Sequence, residues 1–262
     1  MVKLKEITDY IEKLFPKEYA EDFDNVGLLV GRSDKDITKV LLCLDANKNV
    51  VREAAEVGAE LIITHHPVIF NPIKNITDNS DEGEMLLGAI ENGISIYSAH
   101  TNLDSAPSGL TDEVCSLLSL DPISNLEGVL GRLCKAPAGT TAKTLCEKIK
   151  KEFGIKKLFS TFTADREIKT VAVCNGSGSG ELCIIAKDLG ADVYISGDLK
   201  HHEMSAFKIS DNIDFIEMRH FDSEKIATKL LERKLAQKFE GNLSVCISEA
   251  ETSPLIDTDE IL

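Results

Sequence analysis

"VLLCLDANKNVVREAAEVGAELIIT", Val40–Thr64, reads as a strand, a helix and a second strand. Val40–Asp45 is the first strand, Lys48–Val57 the helix and Glu60–Thr64 the second strand, apolar and rich in β-branched residues as buried strands are. The second strand runs on into "LIITHHPVIF", Leu61–Phe70, so two adjacent histidines stand where it opens into a loop. Pro67 has no N–H to give to a ladder, and pairing is expected to stop near it. Further along, Glu82–Asn92 reads as a helix, Ile94–Ser98 as a strand and Leu110–Leu118 as a helix. Strands alternating with helices predict an α/β fold with mixed, largely parallel sheets.

The pattern recurs. "VAVCNGSGSGELCIIAKDLGADVYIS", Val171–Ser196, repeats strand, loop, helix and strand. Val40 then matches Val171, Cys43 matches Cys174, and Gly58-Ala59-Glu60 matches Gly190-Ala191-Asp192 after a slip of one residue. The third strands, "ISIYSAH" and "IDFIEMRH", end at His100 and His220. The chain is therefore expected to form two repeat-related α/β lobes, 1–126 and 127–240. A last strand over Leu243–Ser248, in the segment 241–262, could return to either lobe, the first included.

Composition narrows the function. The chain has 262 residues, 43% of them apolar, enough for a substantial core. A net charge of −15 argues against nucleic acid or anionic lipid as a partner, while leaving room for a small-molecule substrate near metal ions. No apolar run reaches membrane-spanning length. The N-terminal "MVKLKEITDYIEKLFP" spaces Leu4, Ile7, Ile11 and Leu14 at helical intervals, carries acids throughout and does not read as a secretory signal. Seven dispersed cysteines without a C-x-x-C pair fit reduced thiols and a cytoplasmic protein.

The six histidines are His65, His66, His100, His201, His202 and His220. All lie at or shortly past the carboxyl ends of predicted strands, where open α/β sheets build their sites. A carboxylate follows at the same spacing in both lobes: Asp104 four residues after His100, and Glu224 four after His220. A long helical pattern follows His220, and Asp222 or Ser223 is a plausible N-cap, with Glu224 in the first turn. Histidine and carboxylate without cysteine suit Zn, Mn, Fe, Co or Ni. The expected site is a pair of divalent ions between the lobes, able to clamp and activate a water.

"FDNVGLLVG", "ITHHPVIFNPI", "AHTNLDSAPSG", "GSGSG", "ADVYISGDLKHHE" and "HFDSE" occur in this order over nearly the whole chain. In this the chain resembles the Nif-three-like family, known as GTP cyclohydrolase I type 2 homologues. The resemblance implies two intertwined α/β lobes, a ring-shaped homohexamer and a dinuclear metal site. Carried onto this sequence, the metal ligands would be His65, His66, Asp104, His220 and Glu224, with Glu224 bridging. His100 and His202 would line the pocket as catalytic candidates. Phe23 stands where many members carry Trp, and Arg219 and Phe221 stand where Gly and Tyr are usual.

Three functions follow. The resemblance implies a hydrolase that opens the imidazole ring of GTP with release of formate, His100 or His202 carrying protons. The same metals would also serve a phosphoester or nucleotide hydrolase. The third is a metal-holding, partner-binding ring without catalysis. "NGSGSGELC", beginning at Asn175, could cradle a phosphate, but it lacks the Lys and Ser/Thr of a P-loop and reads better as a tight strand-to-helix turn.

Overall fold

The computed structural model describes residues 1–210 and 213–255. In chain order the elements begin β1 (Val2–Lys3), α1 (Leu4–Leu14), β2 (Gly27–Val30), β3 (Asp36–Ile37), β4 (Lys39–Cys43), α2 (Lys48–Val57), β5 (Leu61–Thr64), α3 (Asp81–Glu91), β6 (Ser95–Ser98) and α4 (Thr101–Ser105). They continue as α5 (Leu110–Leu117), β7 (Asp121–Ser124), β8 (Arg132–Lys135), α6 (Ala142–Phe153), β9 (Phe159–Ser160), β10 (Thr170–Ser177), α7 (Gly180–Asp188) and β11 (Val193–Gly197). The last are α8 (His201–Ser210), β12 (Asp214–Glu217), α9 (His220–Glu224), α10 (Ile226–Lys238) and β13 (Ser244–Ile247).

These elements fall into two compact units. One is Met1–Leu103 joined by the described chain from Ala227 onward; the other is Asp104–Ile226. The units part at 103 and 226, where the sequence reading drew 126 and 240. The physical reason is strand pairing and packing. β7 pairs with β8, and β8 with β10, so this stretch belongs to the second sheet.

The first unit holds a sheet in the order β13-β4-β5-β6-β2. The first four strands are parallel, and β2 closes the edge antiparallel to β6. The last strand returns here, with Val245 opposite Val40; residues 256–262 of the expected returning segment lie outside the described residues. Helix α2 starts because the Asn47 side chain accepts from the amides of Asn49 and Val50, and ends at Gly58 in the left-handed conformation. It buries Val50, Val51 and Ala54 against Ile62 and Ile96 of the sheet and Leu86 and Ala89 of α3.

The second unit holds a sheet in the order β7-β8-β10-β11-β12-β9. Its centre, β10-β11-β12, is parallel, and its outer strands run antiparallel. Ala172, Tyr194 and Phe215 pack against Cys183 and Ala186 of α7. The internal repeat is visible in both sheets: β4-β5-β6 and β10-β11-β12 are parallel triplets, each closed on its third strand by an antiparallel edge strand. Among the described residues, no helix is long and apolar enough to cross a membrane.

Candidate metal centre

In the first unit, the ladder between β4 and β5 runs past Thr64. The amides of His65 and His66 still donate to the carbonyls of Cys43 and Leu44, at 3.2 and 3.0 Å, and Pro67 then ends the pairing. The Thr64 hydroxyl donates to the His66 carbonyl at 2.8 Å, which turns the chain at the double histidine. His100 arrives just beyond β6, its amide donating to Asn102 Oδ1 at 3.0 Å. The three rings gather with centroids 5.1 to 5.4 Å apart, and one nitrogen of each lies within 4.8 Å of the others.

Each ring is steadied through Nδ1. His65 donates to the Ala99 carbonyl at 2.8 Å, His66 to Asp45 Oδ1 at 2.8 Å and His100 to Asp24 Oδ1 at 2.9 Å. Carbonyl and carboxylate oxygens can only accept, so the proton sits on Nδ1 of the neutral imidazole and Nε2 carries the lone pair. Burial disfavours the charge on Asp24, but bonds from His100 and Thr101 outweigh it and hold this carboxyl at about 2. Asp45 is fixed in turn, because Glu251 accepts from the amides of Leu44 and Asp45 at 2.7 and 2.5 Å.

In the second unit, His220 and Glu224 sit one turn apart on α9, with Nε2 and Oε2 separated by 2.9 Å. His220 Nδ1 donates to Asp198 Oδ2 at 2.7 Å. Glu224 is only 3% exposed, and one of its carboxylate oxygens lies within 4.8 Å of one from Asp104. Asn175 Nδ2 donates to Asp104 Oδ1 at 2.7 Å, and the Thr111 hydroxyl donates to Asn175 Oδ1 at 2.7 Å, which fixes the way the amide faces. Gly176 makes room for this set. A Cβ there would stand 2.0 Å from Glu224 Oε1 and 3.4 Å from His220 Nε2, and its φ of +65° is one that side chains rarely adopt. Two carboxylates this close, one of them buried, form a spot that favours a cation. Imidazole and carboxylate groups held in this way fit a borderline divalent metal.

The expected residues are placed unevenly. His65, His66 and His100 come together in one unit, and Asp104, His220 and Glu224 in the other. His201 and His202 open α8 and are exposed, and neither belongs to a metal-holding group among the described residues. Neither Asp222 nor Ser223 caps a helix: α9 begins at His220 after Arg219, and Glu224 is its last residue. Ser223 is used otherwise, accepting from the Gly176 amide at 2.9 Å and donating to the His220 carbonyl at 2.8 Å. The equal histidine-to-acid spacing also conceals an offset, since His220 is the first residue of its helix whereas His100 precedes α4 by one. The glycine-rich segment is a strand-to-helix turn in which Ser179 caps α7 through the Leu182 amide.

Sequence reasoning passed over the acids that orient the rings, Asp24, Asp45 and Asp198, and passed over Asn175, which holds Asp104. Asp45 and Asp198 lie just past strands, as the histidines do, and that shared position was the available signal. Asp198 carries a second mark in the structure, a left-handed backbone with φ of 57° on a residue with a side chain.

These features define a mixed α/β protein with histidine and carboxylate groups at strand ends that could hold metal. The chain belongs to the Duf34/NIF3 (NGG1p interacting factor 3) family, whose model matches residues 2–254. It is 35% identical over 261 residues to a "GTP cyclohydrolase 1 type 2 homolog" of Clostridium perfringens, covering 97% of this chain and 98% of that one. It is 31% identical to "NIF3-like protein 1" of Drosophila melanogaster, covering 97% and 89%. Among solved structures, a Bacillus cereus protein related to NIF3 shares the fold with a TM-score of 0.89, at 22% identity over 98% of this chain and 99% of that one. Reduced HcgD from Methanocaldococcus jannaschii gives 0.84 at 31% identity, over 95% and 98%.

Proposed function

We propose that the chain is a cytoplasmic metal-dependent hydrolase that holds two divalent ions, zinc foremost. His65, His66, Asp104, His220 and Glu224 would be the ligands, with Glu224 shared by both ions. The observation that carries this reading is the treatment of the rings. Four histidines, His65, His66, His100 and His220, each give Nδ1 to a fixed oxygen acceptor. That is how metal-binding imidazoles are oriented and made more basic. Bound metal would act as a Lewis acid and provide an activated water.

His100 is better supported than His202 as the proton carrier. Asp24 accepts from His100 Nδ1 at 2.9 Å and keeps that ring oriented, whereas His202 is exposed at the start of α8. The reaction proposed is opening of the GTP imidazole ring with release of formate, in line with the name borne by the clostridial relative. A homohexamer is proposed for the assembly, to be read as a solution mass six times that of the chain.

Metal analysis of protein purified without chelator, followed by a hydrolysis screen over nucleotides and phosphoesters, tests the reading. Two equivalents of metal and a ring-opened product with formate are expected. Turnover of phosphoesters alone would replace the substrate, and metal without any turnover would leave a binding protein.

A further inference from the structure

The loop that leaves the double histidine carries Phe70, which is 45% exposed. Phe23, 63% exposed, meets it edge to face with ring centroids 6.2 Å apart. Phe70 also meets the His100 ring edge to face, at 6.3 Å. Two large rings left in water beside a set of imidazoles add little to the core, and their exposure works against stability. Yet they are held in place. The two residues after Phe23 tie its loop down: Asp24 binds His100, and Asn25 Nδ2 donates to the Ile69 carbonyl at 2.6 Å, next to Phe70.

Phe70 also walls a cavity of about 800 Å³ that reaches the N-terminal ends of α2 and α3. Val68 and Met85 give this cavity further apolar surface, and Asn49, Asn71 and Asn75 line it with amides. Its charged groups, Lys48 and Lys74 against Asp81 and Glu82, cancel in sum. The volume suits a small molecule, and the lining selects no net charge. Amides offer both donors and acceptors, which is what reading the edge of a heterocycle requires.

We propose that Phe70 and Phe23 form a stacking platform for a flat, uncharged heteroaromatic ring of the nucleobase type, held at the Phe70 end of this cavity with amides facing its edges. The inference rests on the hydrolase reading and assigns the side chains that would grip the base of its substrate. Phe70 is the specificity-determining residue, because its ring meets both Phe23 and His100.

The test is calorimetric titration of the full chain, as purified and with its metal content measured, using guanosine, adenosine and ribose 5-phosphate. Both nucleosides should bind saturably and ribose 5-phosphate should not. Phe70→Ala should weaken nucleoside binding about 5- to 100-fold. Phe70→Tyr, which keeps the flat face, should restore it, and Phe70→Leu, which keeps only apolar bulk, should not. Metal-replete protein that binds neither nucleoside would overturn the platform while leaving the metal reading intact. Protein without metal that still binds nucleosides through Phe70 would keep the platform and remove the hydrolase. Unchanged affinity in Phe70→Ala, or a change of solution mass in its place, would show the rings to be a protein contact and overturn the proposal.

Discussion

Asp198 Oδ2 lies 2.7 Å from His220 Nδ1, and Asp198 reaches that position from a left-handed backbone. A residue with a Cβ pays conformational strain there, of about 1–2 kcal/mol. Asp198→Gly relieves the strain and deletes the carboxylate. The unfolding midpoint should hold or rise while metal affinity falls about 10- to 100-fold. Competition titration against a chromophoric chelator, beside thermal denaturation, reads both. Affinity equal to the parent's would break the link between Asp198 and metal binding.

Glu224 and His202 should separate in a metal assay. Glu224→Gln keeps the shape of a 3% exposed side chain and removes its charge, so at least one ion should be lost at saturating metal. His202→Ala alters an exposed position and should retain the parent's stoichiometry. Elemental analysis of both variants decides it, and the reverse pattern would overturn the ligand assignment.

Gly176→Ala and Gly190→Ala make a matched pair. Both glycines have positive φ, +65° and +84°, but an added Cβ strikes Glu224 only at Gly176 and meets nothing within 4 Å at Gly190. Each variant should lose about 1 kcal/mol or more of stability from the backbone. Only Gly176→Ala should also lose metal, and equal metal content in the two would show that the close approach to Glu224 is immaterial.

Asp24 sets a pH dependence. Its carboxyl lies at about 2 against an ordinary 3.8, a difference worth about 2 kcal/mol. A depressed carboxyl stabilises the fold fully above about pH 4, and the contribution is lost as pH falls through about 2. Asp24→Asn lacks it, so the stability gap between parent and variant should be widest above pH 4 and narrow toward pH 2. Denaturant titrations across that range measure the gap, and a constant gap would refute the assignment.

Cys43 and Cys174 hold matching places in β4 and β10. Burial pushes both thiols up, Cys174 to about 12 and Cys43 well above its ordinary value. Neither should react quickly with a thiol reagent at pH 8 in the folded protein. Mass spectrometry after brief labelling checks this, and rapid modification of either would show that its strand opens readily.

The parallel centres of both sheets were legible because β5 and its relatives are short apolar runs between helices with clear caps. Helix α2, expected over Lys48–Val57, spans those residues. The antiparallel edges were not legible. β7 and β9 are short and exposed and carry no apolar period to find. At the candidate site, His65, His66 and His100 were conspicuous because histidine is rare in the chain. The acids that orient His100, His66 and His220 were not, because Asp24, Asp45 and Asp198 are three among 44 acidic residues. What distinguishes them is a partner far along the chain, 76 residues away for Asp24 and His100. Ser223 misled for the opposite reason: its local preference for capping yielded to a bond with Gly176, 47 residues distant.

The first unit is discontinuous, and this fixes an order of events on the ribosome. Asp104–Ile226 is a continuous stretch and is translated before the residues that complete the other unit. Until β13 arrives, β4 exposes a bare parallel edge, the kind that recruits other chains. Glu251, which holds the amide of Asp45 beneath His66, is translated after all six histidines. A chain cut short before Glu251 would therefore carry every histidine and lack the carboxylate that holds the Asp45 amide beneath His66.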